Sequence, residues 1–282
     1  MRAVALGGGH GTAVVLRALM RIADNVTGIV SVADDGGSSG ELRHVLGIPA
    51  VGDLRRCLSA TSSSDSTLAT QFEHRVAGGR HPLGNLVLAA ATLEEGNLER
   101  AVERVGFLLG CTASVLPATN ESVDLVAETS VGTIQGQVRV HGRSDVRRVA
   151  IAPPSAAASP RVLQSIADAD LIVIGPGSFF TSVLAAAVTP GIAHAIRTSR
   201  ARVVFVSNLR PEIPEAVGLS LQNQLTLLED HEIRLDAVLC DVRLTAPEAI
   251  HPAPVVRDLS DSTGQFHDPE KVAQALVALM AN

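Results

Sequence analysis

Four short runs of apolar or β-branched residues in this chain each end in a turn of glycine or small polar residues. The runs are 2–6, 26–32, 171–174 and 203–206, and a helical pattern follows the first and the third. Short apolar runs bounded by such turns are typical of buried strands. A strand, a glycine turn, a helix and a second strand in close succession form a βαβ unit, whose crossover is right-handed.

The alternation of strands and helices predicts an α/β fold. We expect a Rossmann-like, doubly wound, mostly parallel sheet with helices on both faces. A single nucleotide-binding domain is expected over residues 1–282. Within it, the helical pattern of 53–110 is interpreted as an insertion, and the alternating pattern of 115–150 as two or three antiparallel or edge strands that form a small antiparallel excursion. Residues 269–280 are predicted to form a closing helix, because Pro269 stands at its start.

Composition excludes several classes of function. The formal net charge of −6 does not attract nucleic acid or an anionic membrane. Tryptophan and tyrosine are absent, so stacking platforms for single-stranded nucleic acid are not expected. The sequence shows no signal-peptide pattern and no membrane-spanning apolar run, and Cys57, Cys111 and Cys240 form no CxxC pair. We therefore expect a cytoplasmic protein whose anion sites are built from backbone amides and a few arginines.

The first turn carries an anion-binding pattern. It consists of Gly7, Gly8, Gly9, His10, Gly11 and Thr12. Glycines let the backbone approach a phosphate, and the following helix offers unpaired N–H groups and the positive end of its dipole. Thr12 is expected to cap that helix and to touch a ligand oxygen, while His10 either reaches a phosphate or is merely exposed. A tight turn without a ligand is the alternative. The turn is not a Walker loop and fits the dinucleotide fingerprint only approximately.

The second turn joins two carboxylates to small residues. It consists of Asp34, Asp35, Gly36, Gly37, Ser38 and Ser39. Adjacent carboxylates at a strand end hold Mg²⁺ against a phosphate or bind ribose hydroxyls, which makes Asp34 and Asp35 candidate Mg²⁺ ligands. Solvated turn acids are the alternative. Asp53 follows downstream and either supplies a further oxygen ligand or caps a helix.

The remaining candidates follow the third and fourth strands or begin helices. They are Gly175, Pro176, Gly177, Ser178, Asn208, Asn85 and Arg55. The side-chain amide of Asn85 or Asn208 either hydrogen-bonds to a base or a sugar of the ligand or caps a helix. Arg55 and its neighbours in sequence, Arg43 and Arg56, either neutralise phosphate or are solvated. Because ligands of open α/β sheets bind beyond the carboxyl ends of the strands, all these turns are expected to converge on one site.

Five segments give the chain a resemblance to a known family. They are Leu-Gly-Gly-Gly-His-Gly at 6–11, Val-Ser-Val-Ala-Asp-Asp-Gly-Gly-Ser-Ser-Gly at 30–40, Gly-Asp-Leu-Arg at 52–55, Leu-Gly-Asn-Leu at 83–86 and Ile-Gly-Pro-Gly-Ser-Phe-Phe-Thr-Ser at 174–182. These segments resemble the YvcK-type gluconeogenesis factors of the wider CofD-like group, which includes 2-phospho-lactate transferase. The resemblance spans nearly the whole chain. The chain departs from the family pattern at His10 and at Phe266.

The resemblance implies a binding and regulatory protein. Its implied ligand is a nucleotide sugar, UDP-N-acetylglucosamine, and its implied role is support of cell shape and cell-wall synthesis during gluconeogenic growth. A homodimer and protein partners in cell-wall regulation are compatible with that role. The transferase relatives instead move a phospholactyl group from a guanosine diphosphate donor, with Mg²⁺ held by acidic residues, and Asp34 and Asp35 occupy the matching turn. A nicotinamide-dependent oxidoreductase ranks last, because no acid or base for hydride transfer is recognisable.

Overall fold

The computed structural model describes residues 1–63, 67–75, 79–210, 219–244 and 251–281. Its strands are β1 (Arg2–Gly7), β2 (Asn25–Val30), β3 (Ser114–Pro117), β4 (Asp124–Thr129), β5 (Gly132–Gln135), β6 (Val146–Ala152), β7 (Leu171–Ile174), β8 (Arg202–Val206), β9 (Ala237–Asp241) and β10 (Pro254–Arg257). Seven of them form a parallel sheet in the order β10-β9-β8-β7-β1-β2-β3. The predicted α/β class is confirmed.

Helices cover the sheet. They are α1 (Gly9–Leu19), α2 (Gly37–Leu46), α3 (Gly52–Thr61), α4 (Thr67–Glu73), α5 (Leu83–Glu95), α6 (Leu98–Leu109), α7 (Gln137–Val140), α8 (Pro160–Ala167), α9 (Ala185–Ala187), α10 (Ile192–Thr198), α11 (Leu221–Asp230) and α12 (Pro269–Met280). A π-helical turn, Phe179–Leu184, runs directly into α9. The closing helix is confirmed as α12, whose first amides are capped by the Asp268 side chain. Within the described residues no single helix is long and apolar enough to cross a membrane, whereas the bent pair Phe179–Ala187 and Ile192–Thr198 meets the length and composition criteria together.

The order of strands reverses between β1 and β7. From β1 the chain moves outward through β2 to β3, and from β7 it moves outward on the other side through β8 and β9 to β10. The carboxyl ends of β8, β7, β1 and β2 therefore lie side by side, in the register Gly7 to Val30 and Leu6 to Ile174. This arrangement places the four turns singled out in the sequence along one edge of the sheet, around its switch point.

The core lies on both faces of the parallel sheet. All four residues of β7 are buried, as are the last five of β1, because helices cover each side. Helix α1 packs its Val15, Leu16 and Leu19 side chains inward, and it contacts α3, α12 and β1. Phe179 is buried edge-to-face against Phe180, with ring centroids 5.4 Å apart. These rings tie the start of the π-helical turn to the core.

The antiparallel excursion is also confirmed. Strands β5, β4 and β6 form a separate three-stranded sheet, in which β4 pairs with both neighbours. Ser114–Pro117 lies outside it, although the sequence pattern grouped these residues with the excursion. They form β3, the edge strand that pairs in parallel with β2. Alternation of apolar and polar residues reports which face is buried and does not report the direction of the partner strand, so the pattern alone did not separate β3 from β4.

Two of the turns touch through their backbones. A Cβ added at Gly11 would lie 2.0 Å from the carbonyl oxygen of Pro176, and one at Gly8 would lie 2.6 Å from a carboxylate oxygen of Asp53. Only glycine permits these approaches, since a Cβ at such distances forces the opposing atoms apart. The first turn therefore packs directly on the third, and α3 packs on the first.

We predict that Gly11→Ala lowers the free energy of unfolding by about 1–3 kcal/mol, the usual range for overpacking. The opposing atom belongs to the backbone and has no rotamer by which to withdraw. Thermal unfolding followed by circular dichroism measures the effect. Gly106→Ala in α6 is the control, because its new methyl group would meet side-chain atoms and no backbone, a flexible Leu58 carbon at 3.3 Å and the Cys111 side chain at 3.8 Å. Equal unfolding midpoints for Gly11→Ala and the parent chain would show that the two turns do not constrain each other.

Candidate functional site

A cleft of about 500 Å³ opens at the switch point of the sheet. The residues predicted from sequence that line it are Gly8, Gly9, His10, Gly11, Asp34, Gly36, Gly37, Ser38, Ser39, Asp53, Arg55, Asn85, Gly177 and Ser178. Those that do not line it are Gly7, Thr12, Asp35, Gly175, Pro176 and Asn208. The structure therefore brings residues of the first three turns together in one concave site, with side chains from α3 and α5.

Arg56, expected from the sequence to neutralise phosphate or to be solvated, also lines the cleft. The lining residues that were not sequence candidates are Ser31, Gly52, Arg75, Gln137, His141, Thr181 and Ser182. Ser31, Gly52, Thr181 and Ser182 adjoin predicted turns or candidate residues, so their positions follow once those are placed. Gln137 and His141 come from α7 and the residue after it, far away in sequence, and no local pattern indicates them.

The first turn presents backbone rather than side chains. Helix α1 begins at Gly9, and its N-cap Gly8 has an extended backbone with no side chain to bond the first amides. The predicted capping role of Thr12 is wrong. Its hydroxyl is buried and donates to the carbonyl oxygen of Gly8 at 3.2 Å, because the side chain turns back toward Gly7, which lacks a Cβ. Thr12 thus stabilises the turn from beneath the cleft.

Asp53 belongs to the first turn of α3, and its carboxylate reaches the start of α1. Its carboxylate accepts a hydrogen bond from the Gly9 amide and a 2.7 Å hydrogen bond from Nη1 of Arg56, one turn along α3. Only 15% of the side chain is exposed. Burial raises the pKa of Asp53 against the opposing effect of Arg56. Partial desolvation of the His10 ring lowers the pKa of His10, and the Arg56 charge lowers it further.

Asp34 lines the same cleft as Asp53 and lies near enough for the two charges to interact. Its Oδ1 accepts the Gly36 amide at 2.9 Å, and the Ser39 hydroxyl also donates to this carboxylate. Burial raises the pKa of Asp34, and the charge of Asp53 raises it further. Two carboxylates so placed repel each other and are poorly solvated, which a cation between them would relieve.

Asp35 faces a different part of the molecule from Asp34. Its Oδ1 accepts the Val138 amide at 2.8 Å, and its Oδ2 fills the space where a Cβ of Gly136 would be. It lines a second cavity, beside Arg43. Asp35 therefore holds α7 against the second turn, and the carboxylate that shares the cleft with Asp34 is Asp53. Within the described ranges, no group of three His, Cys, Asp or Glu side chains is arranged to hold a metal ion.

Asn208 supports the third turn from outside the cleft. Its Oδ1 accepts the Gly177 amide at 2.9 Å, and its Nδ2 donates to the Gly177 carbonyl oxygen at 2.9 Å. An amide side chain is suited to this two-point contact because it carries both a donor and an acceptor. Gly175 has φ +73° and a Cβ there would lie 2.9 Å from the Val206 carbonyl oxygen. These residues shape the turn that presents Gly177 and Ser178.

A partly buried polar network underlies the second turn. Arg55 pairs with Glu73 through Nε at 3.1 Å and donates from Nη1 to Oδ1 of Asn85 at 3.2 Å. Asn85 is 1% exposed and donates from Nδ2 to Oγ of Ser38 at 2.9 Å. Ser38 also bonds Nδ1 of His81 at 2.9 Å. The network fixes the orientation of the Ser38 hydroxyl in the cleft, and His81 is a member that sequence reasoning did not identify.

The raised pKa of Asp34 predicts the sign of a pH effect. Between the ordinary carboxyl pKa and the raised one, the folded chain binds more protons than the unfolded chain, so stability falls as pH rises through that window. Asp34→Asn removes this loss while keeping an Oδ1 acceptor for Gly36. We expect the unfolding temperature of Asp34→Asn to increase relative to that of the parent chain as pH rises from about 4 toward neutrality. Both chains are measured with a chelator present.

Asp258→Asn is the control of opposite sign. The hydrogen bond from Lys271 lowers the pKa of Asp258 to about 2, so its contribution to stability is present at neutral pH and is lost as pH falls through that value. Asp258→Asn should be the less stable chain at neutral pH and should approach the parent in acid. A midpoint difference for Asp34→Asn that stays constant with pH would contradict the electrostatic assignment.

The fold and the cleft together define a class of protein. A doubly wound parallel sheet with glycine turns meeting at a cleft beside its switch point is a Rossmann-like α/β fold. The family model described as 2-phospho-L-lactate transferase CofD matches residues 3–281. The chain therefore belongs to the CofD family.

Its relatives place it among the gluconeogenesis factors of that family. The chain is 36% identical over 281 residues to the gluconeogenesis factor of Halalkalibacterium halodurans, covering 97% of this chain and 83% of that protein. It is 37% identical over 232 residues to the gluconeogenesis factor of Bacillus subtilis, covering 80% and 73%. A UPF0052-family crystal structure from Bacillus halodurans superposes with a TM-score of 0.90 at 32% identity, covering 98% of each chain.

Some relatives are longer proteins. A Deinococcus radiodurans relative is 41% identical over 239 residues, covering 82% of this chain and 51% of that protein. This chain thus spans about half the length of that relative.

Proposed function

We propose that this chain binds UDP-N-acetylglucosamine in the cleft and acts as a regulatory factor that supports cell shape and cell-wall synthesis during gluconeogenic growth. The observation that carries the proposal is the meeting of the first and third turns, Gly11 against Pro176, beneath a cleft of about 500 Å³. That volume lies within the range of small-molecule sites. Protein partners in cell-wall synthesis belong to the same proposal.

Two helix starts support the proposal that the cleft binds the phosphates of the ligand. Helices α1 and α2 both begin at the cleft, and their N-caps, Gly8 and Gly36, have no side chain, although the Asp53 carboxylate accepts the Gly9 amide of α1. Amides at such positions, together with the positive ends of the two dipoles, bind anions. Arg55, Arg56 and Arg75 line the same cleft and add positive charge. A diphosphate fits this environment even though the net charge of the chain is −6.

A cation is part of the proposal. Asp34 and Asp53 would hold Mg²⁺ between them, because both carboxylates have raised pKa values and face the same cleft. Mg²⁺ is usually held by one or two carboxylates, several waters and the substrate phosphates. Without the cation, a diphosphate would meet two negative side chains beside the amides. Ligand binding is therefore expected to depend on Mg²⁺.

Several polar side chains of the cleft suit a sugar. Ser38, Gln137 and His141 line it, and their hydroxyl, amide and imidazole groups match sugar hydroxyls. Gln137 and His141 reach the cleft because Asp35 holds α7 in place.

A transferase acting on a guanosine diphosphate-linked phospholactyl donor is the second candidate. The carboxylate pair favours it, since Mg²⁺ held there would polarise a phosphoryl group. The two candidates differ in the ligand bound and in the product released. Release of GMP from that donor would select the transferase.

We predict that UDP-N-acetylglucosamine with Mg²⁺ raises the unfolding midpoint more than UDP, GDP or NAD does. At a ligand concentration about one hundred times Kd, stabilisation is about 2.7 kcal/mol. Asp34→Asn should remove the part of this stabilisation that requires Mg²⁺. Differential scanning fluorimetry with and without Mg²⁺ makes both measurements.

Asp35→Asn is the matched control, because the adjacent carboxylate lies outside the cleft and should leave the Mg²⁺ dependence intact. Stabilisation by NAD alone would rule the proposal out. An unchanged Mg²⁺ dependence in Asp34→Asn would place the cation elsewhere.

A further inference from the structure

The Ser38 hydroxyl is held by two side chains that both come from the region where α5 begins. Its Oγ lies 2.9 Å from Nδ2 of Asn85 and 2.9 Å from Nδ1 of His81. A serine hydroxyl has one hydrogen to donate and two lone pairs to accept with. The identity of each neighbouring atom therefore decides what Oγ can still offer to a ligand.

Arg55 decides the orientation of the Asn85 amide. A guanidinium has donors only, so the Asn85 atom that it contacts at 3.2 Å is the carbonyl oxygen Oδ1. The amide nitrogen Nδ2 consequently faces Ser38. Asn85 is 1% exposed, and Glu73 holds Arg55 in place through two contacts of 3.1 Å. Ser38 accordingly accepts a hydrogen bond from Asn85, which occupies one of its two lone pairs.

Glu41 lies on the Nε2 side of the His81 ring. Its Oε2 is 3.9 Å from Nε2, too far for a hydrogen bond but near enough for the negative charge to favour the tautomer with the proton on Nε2. Nδ1 is then an acceptor. The Ser38 hydroxyl donates its hydrogen to Nδ1, and the same Glu41 is held by an ion pair with Arg80 at 3.2 Å.

We infer that the Ser38 side chain is an acceptor-only subsite that recognises a hydroxyl group of the ligand's sugar portion and not a phosphate oxygen. Its hydrogen is committed to His81 and one lone pair to Asn85, so a single lone pair remains for the cleft that Ser38 lines. A phosphate oxygen is also an acceptor and would be repelled there. This inference rests on the proposed binding of a nucleotide sugar.

One part of the cleft therefore donates hydrogen bonds to a ligand, and another part accepts them. The backbone amides at the starts of α1 and α2 donate, and they suit phosphate oxygens. The Ser38 hydroxyl accepts, and it suits a sugar O–H. The backbone amide of Ser38 is unaffected by changes to its side chain, so the two kinds of recognition are separable by mutation.

Isothermal titration calorimetry on the full chain with Mg²⁺ tests the inference. Ser38→Ala should weaken UDP-N-acetylglucosamine binding about 3- to 10-fold, the usual effect of one neutral hydrogen bond. It should leave the affinity for inorganic pyrophosphate unchanged. Analogues in which one sugar hydroxyl is replaced by a methoxy group locate the donor, because the analogue that lost it binds the parent chain and Ser38→Ala equally well.

Two results would overturn the inference. One is an equal loss of pyrophosphate affinity in Ser38→Ala, which would mean that the hydroxyl contacts phosphate. The other is unchanged affinity for the nucleotide sugar. Failure of the parent chain to bind UDP-N-acetylglucosamine at all would instead count against the proposed function.

A measurement on the ligand-free chain judges the hydrogen-bond assignment separately. The ¹⁵N chemical shifts of the His81 ring should report a proton on Nε2 and an accepting Nδ1, and the Nδ1 shift should change in Ser38→Ala. A proton on Nδ1 would free the Ser38 hydrogen for a ligand acceptor and would refute the assignment.

Discussion

The close approach of two backbones at the switch point sets the geometry of this molecule. Gly11 at the start of α1 and Pro176 after β7 meet with no room for a Cβ between them. The contact is possible because β1 and β7 are neighbours in the sheet, so their carboxyl ends open at the same place. Asn208 reinforces it by holding both polar groups of Gly177. The cleft and its amide donors follow from that contact.

The carboxylates of the cleft lower the stability of the folded chain and favour the binding of a compensating ligand or cation. Asp34 and Asp53 both have raised pKa values, because burial disfavours their charged forms. Among the described residues, Arg56 forms an ion pair with Asp53, whereas Asp34 receives only a weaker Coulombic contribution from Arg56. Functional sites often hold such unfavourable groups where a ligand or a cation compensates for them. Asp35 stands next to Asp34 and has a structural use instead, as the anchor of α7.

Sequence reasoning identified the fold and most of the cleft, since strand ends and glycine turns are local features and their convergence follows from parallel topology. It failed where side-chain direction decides. Thr12 turns beneath the cleft, and Asp35 turns away from Asp34, because successive residues of an irregular turn need not share a face. Gln137 and His141 were missed because only the folded antiparallel sheet brings α7 to the cleft. The pairing of β3 with β2 was equally non-local.

A crystal structure of the chain with UDP-N-acetylglucosamine and Mg²⁺ tests the central claim most directly. The account predicts diphosphate density against the amides at the starts of α1 and α2, with the cation between Asp34 and Asp53. Density for the ligand elsewhere on the molecule, with the carboxyl ends of β1, β2 and β7 empty, would contradict it.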